Sequence, residues 1–217
     1  MTVHLCFHGI GTCDAEREPG EARYWVSQDM FRRILDLTLA ADDVHLSFDD
    51  GNRSDIEMAL PALAERGLTA TFFALAGRLD DPASLGASDL LALRDAGMTI
   101  GSHGWRHVPW RGLTETAAAS ELIDARRALE EASGTVITEA ALPLGQYDRR
   151  VLDRLRRERY RVVYSSDRYT SRRSAWLRAR YSVTFDDTVA SVTAILRQRS
   201  SIVEAVHHAK SVVKRVR

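Results

Sequence analysis

The feature that most constrains this chain is its rhythm: short apolar runs recur, and a stretch of helical period follows most of them. Runs at 3–7, 44–48, 69–75, 98–101, 136–142, 160–165 and 181–185 have the length and composition of strands. Helical patterns fill the gaps at 27–40, 55–66, 88–96, 114–132 and 148–159, and Asp187 leads a last one. Punctuation supports them: Ser27 and Ser54 stand as N-caps, while Gly67, Gly97 and Gly134 stand as stops. Strand–helix alternation at this spacing implies a parallel sheet, either doubly wound or closed into a barrel. With no internal repeat, low-complexity linker or break in composition, the expected organisation is one α/β domain over 1–217.

A chain of 217 residues can bury a core large enough to need no disulfide or structural metal. Basic and acidic side chains number 30 each, so the charge is balanced and nucleic acid is not an expected partner. Two cysteines so close together, Cys6 and Cys13, read as reduced thiols. The first residues lack the charged-then-apolar pattern of a secretion signal, and no run reaches the length of a membrane span. These features together lead to the expectation of a cytoplasmic protein.

In parallel α/β folds ligands sit outside the carboxyl ends of the strands. The residues there are His8-Gly9-Ile10-Gly11, Asp49-Asp50-Gly51, Ser102-His103, Pro143-Leu144-Gly145 and Ser166-Asp167. Two adjacent carboxylates at a strand end repel unless a cation lies beside them; the ordinary alternative is a solvated Asp-Gly turn. His103 and His107, four residues apart, can share a metal if that stretch makes a helical turn. Neither motif says much alone. Together they supply one carboxylate and two imidazoles, the three protein ligands of a catalytic site, with a second carboxylate left over as a base. Such a donor set suits zinc, with cobalt, nickel or iron as alternatives.

Phe48-Asp49-Asp50-Gly51 and Ser102-His103-Gly104-Trp105-Arg106-His107 resemble the first two motifs of the polysaccharide deacetylase family, also called NodB-homology or carbohydrate esterase family 4 enzymes. Thr69-Ala70-Thr71-Phe72-Phe73 is similar to the strand after the first motif, and the likeness runs from about residue 44 to 167. The resemblance implies a distorted (β/α)7-type barrel and metal-dependent removal of an acetyl group from an N-acetylated sugar. It makes Asp49 the base and Asp50, His103 and His107 the metal ligands. The backbone N–H of Leu144 becomes the donor to the oxyanion.

The third motif departs from the family. Ala141-Leu142-Pro143-Leu144-Gly145 has alanine where the family has the arginine that holds the catalytic aspartate, and Arg178 or Arg180 are the candidate substitutes. Asp167 resembles the family's later aspartate. The family's acid histidine has no clear counterpart: His8 is the better candidate, and His207-His208 read as part of a solvated basic helix. Tyr24 and Trp25 are candidates for sugar contact, and Trp105 and Trp110 could serve likewise or simply pack. The C-terminal stretch 195–217, a basic helix or tail from about residue 200, carries Arg197, Arg199, Lys210, Lys214, Arg215 and Arg217 with valines between, which suggests weak contact with an anionic membrane surface or a partner, or a solvated tail. Two other readings stay open: an impaired member that binds glycans, and a hydrolase of another non-peptide C–N bond. An intracellular substrate (nucleotide-linked, lipid-linked or a small N-acetylhexosamine glycoside) is expected.

Overall fold

A computed structural model describes residues 1–197 and 202–216. The strands are β1 (Val3–Phe7), β2 (Gly9–Ile10), β3 (Trp25–Val26), β4 (Val44–Asp49), β5 (Ala70–Ala74), β6 (Thr99–Ser102), β7 (Glu139–Ala141), β8 (Val162–Ser165), β9 (Leu177–Ala179) and β10 (Tyr181–Ser182). The α-helices are α1 (Gln28–Leu39), α2 (Leu60–Glu65), α3 (Ala87–Asp95), α4 (Glu115–Ala119), α5 (Ala125–Ser133), α6 (Arg149–Arg157), α7 (Val189–Arg197) and α8 (Ile202–Val216). The large sheet is parallel throughout in the order β10-β1-β4-β5-β6-β7-β8-β9.

Its two ends are consecutive in the chain. β9 pairs with β8 and β10 with β1, with only Arg180 between them. Arg180 N donates to Ser165 O (2.8 Å) on one side, and Val183 N to Cys6 O (2.8 Å) on the other. One strand bent at Arg180 thus closes the sheet, and the architecture is a distorted (β/α)7 barrel.

Alternation along the strands sorts the side chains. Phe7, Phe48 and Phe72 stack across β1, β4 and β5 and pack with Phe31, Ile34 and Leu35 of α1 and Leu63 of α2 in the main core. A second set forms a smaller cluster of Phe73, Ala141 and Tyr164, over which the Arg180 guanidinium lies. Gly101 makes room for it: a Cβ there would come within 2.4 Å of the Phe73 ring. This polar-rimmed interior is what brings Asp49 and Arg180 face to face.

The elements differ from the sequence expectation in specific places. β2 and β3 form a two-stranded ribbon too short to leave a pattern. The expected run at 136–142 pairs only from Glu139, because Ile137 N is taken by the Glu130 carboxylate (3.0 Å). The helical stretches at 55–66 and 114–132 each contain a π-turn, Asp55–Ala59 and Ser120–Asp124. Ser54 does not cap its helix; its hydroxyl accepts from Ile10 N (3.1 Å) and ties the ribbon to the barrel. Among the described residues no helix is long and apolar enough to cross a membrane.

Candidate metal centre

β4 delivers Asp49 at its last residue, and the chain then turns sharply, with Asp50 at φ 74° and Gly51 at φ 63°. β6 delivers His103 just past its end, its N–H bonded to Ala74 O (2.8 Å). The 103–107 stretch is not helical, contrary to the spacing argument. It is a loop in which Gly104 (φ 89°) and His107 (φ 56°) take left-handed backbone. Glu121, buried in the π-turn between α4 and α5, holds the loop by accepting from Trp105 N (2.8 Å) and Arg106 N (3.1 Å). Left-handed backbone at a non-glycine residue costs energy, so its recurrence at Asp50, His107 and Leu144, all on one cavity wall, marks a constrained site.

His103 Nε2 lies 3.5 Å and His107 Nε2 3.4 Å from the same atom, Asp50 Oδ1. That oxygen is buried and has no hydrogen-bond partner, while one atom from each of the three residues lies within 4.8 Å of the others. The far side of each ring is engaged: His103 Nδ1 lies 2.9 Å from Ala141 O, and His107 Nδ1 2.6 Å from Glu18 Oε2. The Ala141 carbonyl can only accept, so His103 Nδ1 donates to it and the Nε2 of that neutral ring is left free to ligate. The Ala141 carbonyl serves here although its side chain departs from the family pattern. Glu18, held in turn by Arg78, is a site residue that sequence reasoning missed. It lies in a charged loop that carries no motif.

Asp49 is paired with Arg180, whose guanidinium makes two parallel bonds to its carboxylate oxygens, 2.6 Å each, and a third to Ser47 Oγ (3.0 Å). Both side chains are buried. Burial by itself raises the Asp49 pKa; Arg180 first, then His103 and His8, outweigh it and hold the carboxyl well below its usual range. Burial drives His103 down to about 4, so this imidazole is neutral near pH 7. Asp50 is also held low, its burial outweighed by His8, His103 and His107.

Comparison with known proteins follows the same lines. The polysaccharide deacetylase family model matches residues 37–163. This chain belongs to the polysaccharide deacetylase family. YxkH of Bacillus subtilis (strain 168), provisionally named a polysaccharide deacetylase, is 24% identical over 177 residues, which cover 75% of this chain and 63% of that protein. Among solved structures, Streptococcus pyogenes deacetylase PplD in complex with acetate has a TM-score of 0.80 at 18% identity, covering 91% of this chain and 98% of that one. IcaB from Ammonifex degensii has a TM-score of 0.77 at 20% identity, covering 91% and 97%. At these identities the structural likeness speaks for the barrel.

In this deacetylase-family barrel Asp50, His103 and His107 open onto a cavity of about 180 Å³, lined also by His8, Tyr24, Leu144 and Arg180. His8 packs against Tyr24 with tilted rings (centroids 4.7 Å, 35° between planes), and its buried Nδ1 has no partner. Leu144 sits at the mouth, its side chain exposed.

Other expected residues lie elsewhere. Trp25 packs flat on Gly9, where a Cβ would come within 2.1 Å of the indole. Trp110 is buried, and Trp105 packs against the main core. Arg178 spends its guanidinium on Ala175 O (3.0 Å), Arg173 O (2.6 Å) and Tyr164 OH (3.3 Å); Arg180 is the residue on Asp49. Asp167 accepts from Tyr147 OH (2.6 Å) and Ser165 Oγ (2.7 Å) and pairs with Lys214 (2.6 Å), so it anchors α8 and touches neither Arg180 nor a histidine. His207 Nδ1 bonds Arg168 O (3.0 Å) and His208 packs on Tyr169, away from the cavity. Arg199 and Arg217 of the basic segment lie outside the described residues.

Proposed function

We propose that this chain is a divalent-metal-dependent N-deacetylase that hydrolyses the acetamide of an N-acetylated sugar. The observation that carries this reading is the convergence of two imidazole Nε2 atoms on one unpartnered buried carboxylate oxygen, with a second, ionised carboxylate alongside. A buried carboxylate oxygen without a partner, flanked by two imidazole nitrogens, is unfavourable as it stands and fits a cation. Asp50, His103 and His107 would hold it, zinc first by donor set, with cobalt, nickel or iron as alternatives. When bound, the ion polarises the acetyl carbonyl and makes its water acidic enough to be deprotonated near neutral pH.

The protein's own residues do the rest. Asp49 accepts the proton of the attacking water. Its low pKa makes it a weak base, so Arg180 secures position and charge at the expense of basicity. The Leu144 N–H, displayed by its left-handed turn at the cavity wall, is the donor for the oxyanion. His8 protonates the leaving amine, and Tyr24 orients its ring and meets the sugar.

The altered third motif and the absence of a clear acid histidine favour an impaired, glycan-binding member; the Arg180–Asp49 pairing answers the first ground, and His8 on the cavity lining is the acid that this reading proposes against the second. The free thiols Cys6 and Cys13 agree with a cytoplasmic location and an intracellular N-acetylhexosamine compound as substrate. The test is acetate release from free, nucleotide-linked and lipid-linked N-acetylhexosamines, using enzyme stripped by chelation and reloaded with zinc or cobalt. Metal-dependent acetate is the expected result. Stoichiometric metal without acetate from any of them, or turnover of formamides and cyclic amides instead, overturns the reading.

A further inference from the structure

α8 is docked the wrong way round for a surface helix. Its polar side faces the barrel. Glu204 accepts from Thr170 N (2.8 Å) and Tyr181 OH (2.6 Å), and Ser211 Oγ meets Tyr147 OH (2.8 Å) and Tyr169 OH (3.1 Å). Lys214 reaches Asp167 (2.6 Å) and Gly145 O (3.3 Å), and Arg215 bonds Tyr169 OH. At 100° per residue the opposite side carries Ala205, Val206, Ala209, Val213 and Val216, with Val212 at its edge, and all are exposed: Val206 by 49%, Val213 by 53% and Val216 by 71%. A continuous apolar strip on a helix fixed by its polar face is a contact surface.

The charge around the strip says what it contacts. Lys210 is exposed on α8, and the neighbouring α6 exposes Arg149, Arg150, Arg156 and Arg157, with Asp153 as the acid among them. Arg149 and Arg156 share one small cavity with Arg215, which places α6 directly beside the C-terminal half of α8. Exposed valines on α8, with Lys210 on the same helix and exposed arginines on the adjacent α6, match an anionic lipid surface, where the apolar strip enters the interface and the cations meet headgroups. A second copy would set like charges against each other. The position fits too: Lys214 fastens the end of α8 to Gly145, beside Leu144, whose exposed side chain stands at the mouth of the candidate site.

We propose that the outward face of α8, with the arginines of α6, docks this protein on the surface of a bilayer containing anionic lipid and holds the cavity mouth close to the headgroups. The surface stands independently of the deacetylase reading. The test is co-sedimentation of the full chain with phosphatidylcholine vesicles that do or do not contain phosphatidylglycerol. A Val206→Asp/Val213→Asp double variant, whose fold is checked by thermal melting, runs beside it. Binding is expected only with phosphatidylglycerol, falling with added salt and at least about tenfold weaker in the variant, which keeps the parent's acetate release from a soluble substrate. Three results overturn the proposal: no binding to the anionic vesicles, equal binding by parent and variant, or light scattering that finds a parent dimer and a variant monomer, which would make the strip a contact between copies.

Discussion

A carboxylate buried as deeply as Asp49 would ordinarily take up a proton, and Arg180 prevents it with a two-pronged contact. Lysine can supply the charge but not the fork, so Arg180→Lys should cut kcat/KM by about tenfold to hundredfold. It should also move the acid limb of the pH–rate profile to higher pH, since Asp49 then protonates more readily. A structural residue would lower the whole profile and leave the limb in place. Glu18 acts one step further out. Removing it in Glu18→Ala frees the His107 ring to turn and swap tautomers, and zinc affinity should fall about 10- to 100-fold in a chelator competition, without loss of fold. The convergence of the candidate ligands was legible, because Asp49-Asp50 and His103/His107 both follow apolar strands. Arg180 was half legible. Arg178 lies within β9 and Arg180 at the bend just after it, both over the Tyr164 ring, and which of the two reaches Asp49 is not written in a strand pattern. Glu18 was not legible, since its neighbours read as a solvated turn.

At the level of elements, the seven-strand rhythm was readable because continuous apolar runs are long compared with the turns between them. What it missed depends on tertiary partners: the closing bend at Arg180, the β2–β3 ribbon, and the loop that replaces the expected helical turn at His103. That loop has no ladder of its own. The Glu121 carboxylate substitutes for one, accepting Trp105 N, Arg106 N and, at 3.4 Å, Trp110 Nε1. Glu121→Ala orphans buried donors and should cost about 1–3 kcal/mol in chemical denaturation. Because the same loop sets His107, zinc affinity should fall with it. Glu115→Ala, on the exposed end of α4, serves as the control and should change neither measurement.

For the molecule as a whole, the unusual property is a barrel interior that holds histidines as neutral groups. Burial first, then neighbouring charge, brings His4 down to about 2 and His45 to about 4, and His103 at the rim lies at about 4 as well. Both ring nitrogens of His4 and Nδ1 of His45 have no partner in the protein. An unfolded chain protonates such rings near pH 6.5. Below that value the unfolded state therefore binds protons that the folded state refuses, and stability falls with pH. The loss from His45 and His103 ends near pH 4, whereas that from His4 continues toward pH 2. Each group contributes up to roughly 1.4 kcal/mol per pH unit within its window. Asp55 and Glu139 work in the opposite sense, because burial raises their folded pKa values and the folded state then takes up protons first. The parent's slope is thus a difference, and the informative quantity is its change. In metal-free protein, urea melts between about pH 7 and pH 5 should show a much shallower acid loss for His4→Leu/His45→Leu than for the parent. If the slopes coincide, the barrel histidines are already charged in the folded state or hydrated enough to titrate freely, and acid sensitivity belongs to the rim, where His103 faces Asp50.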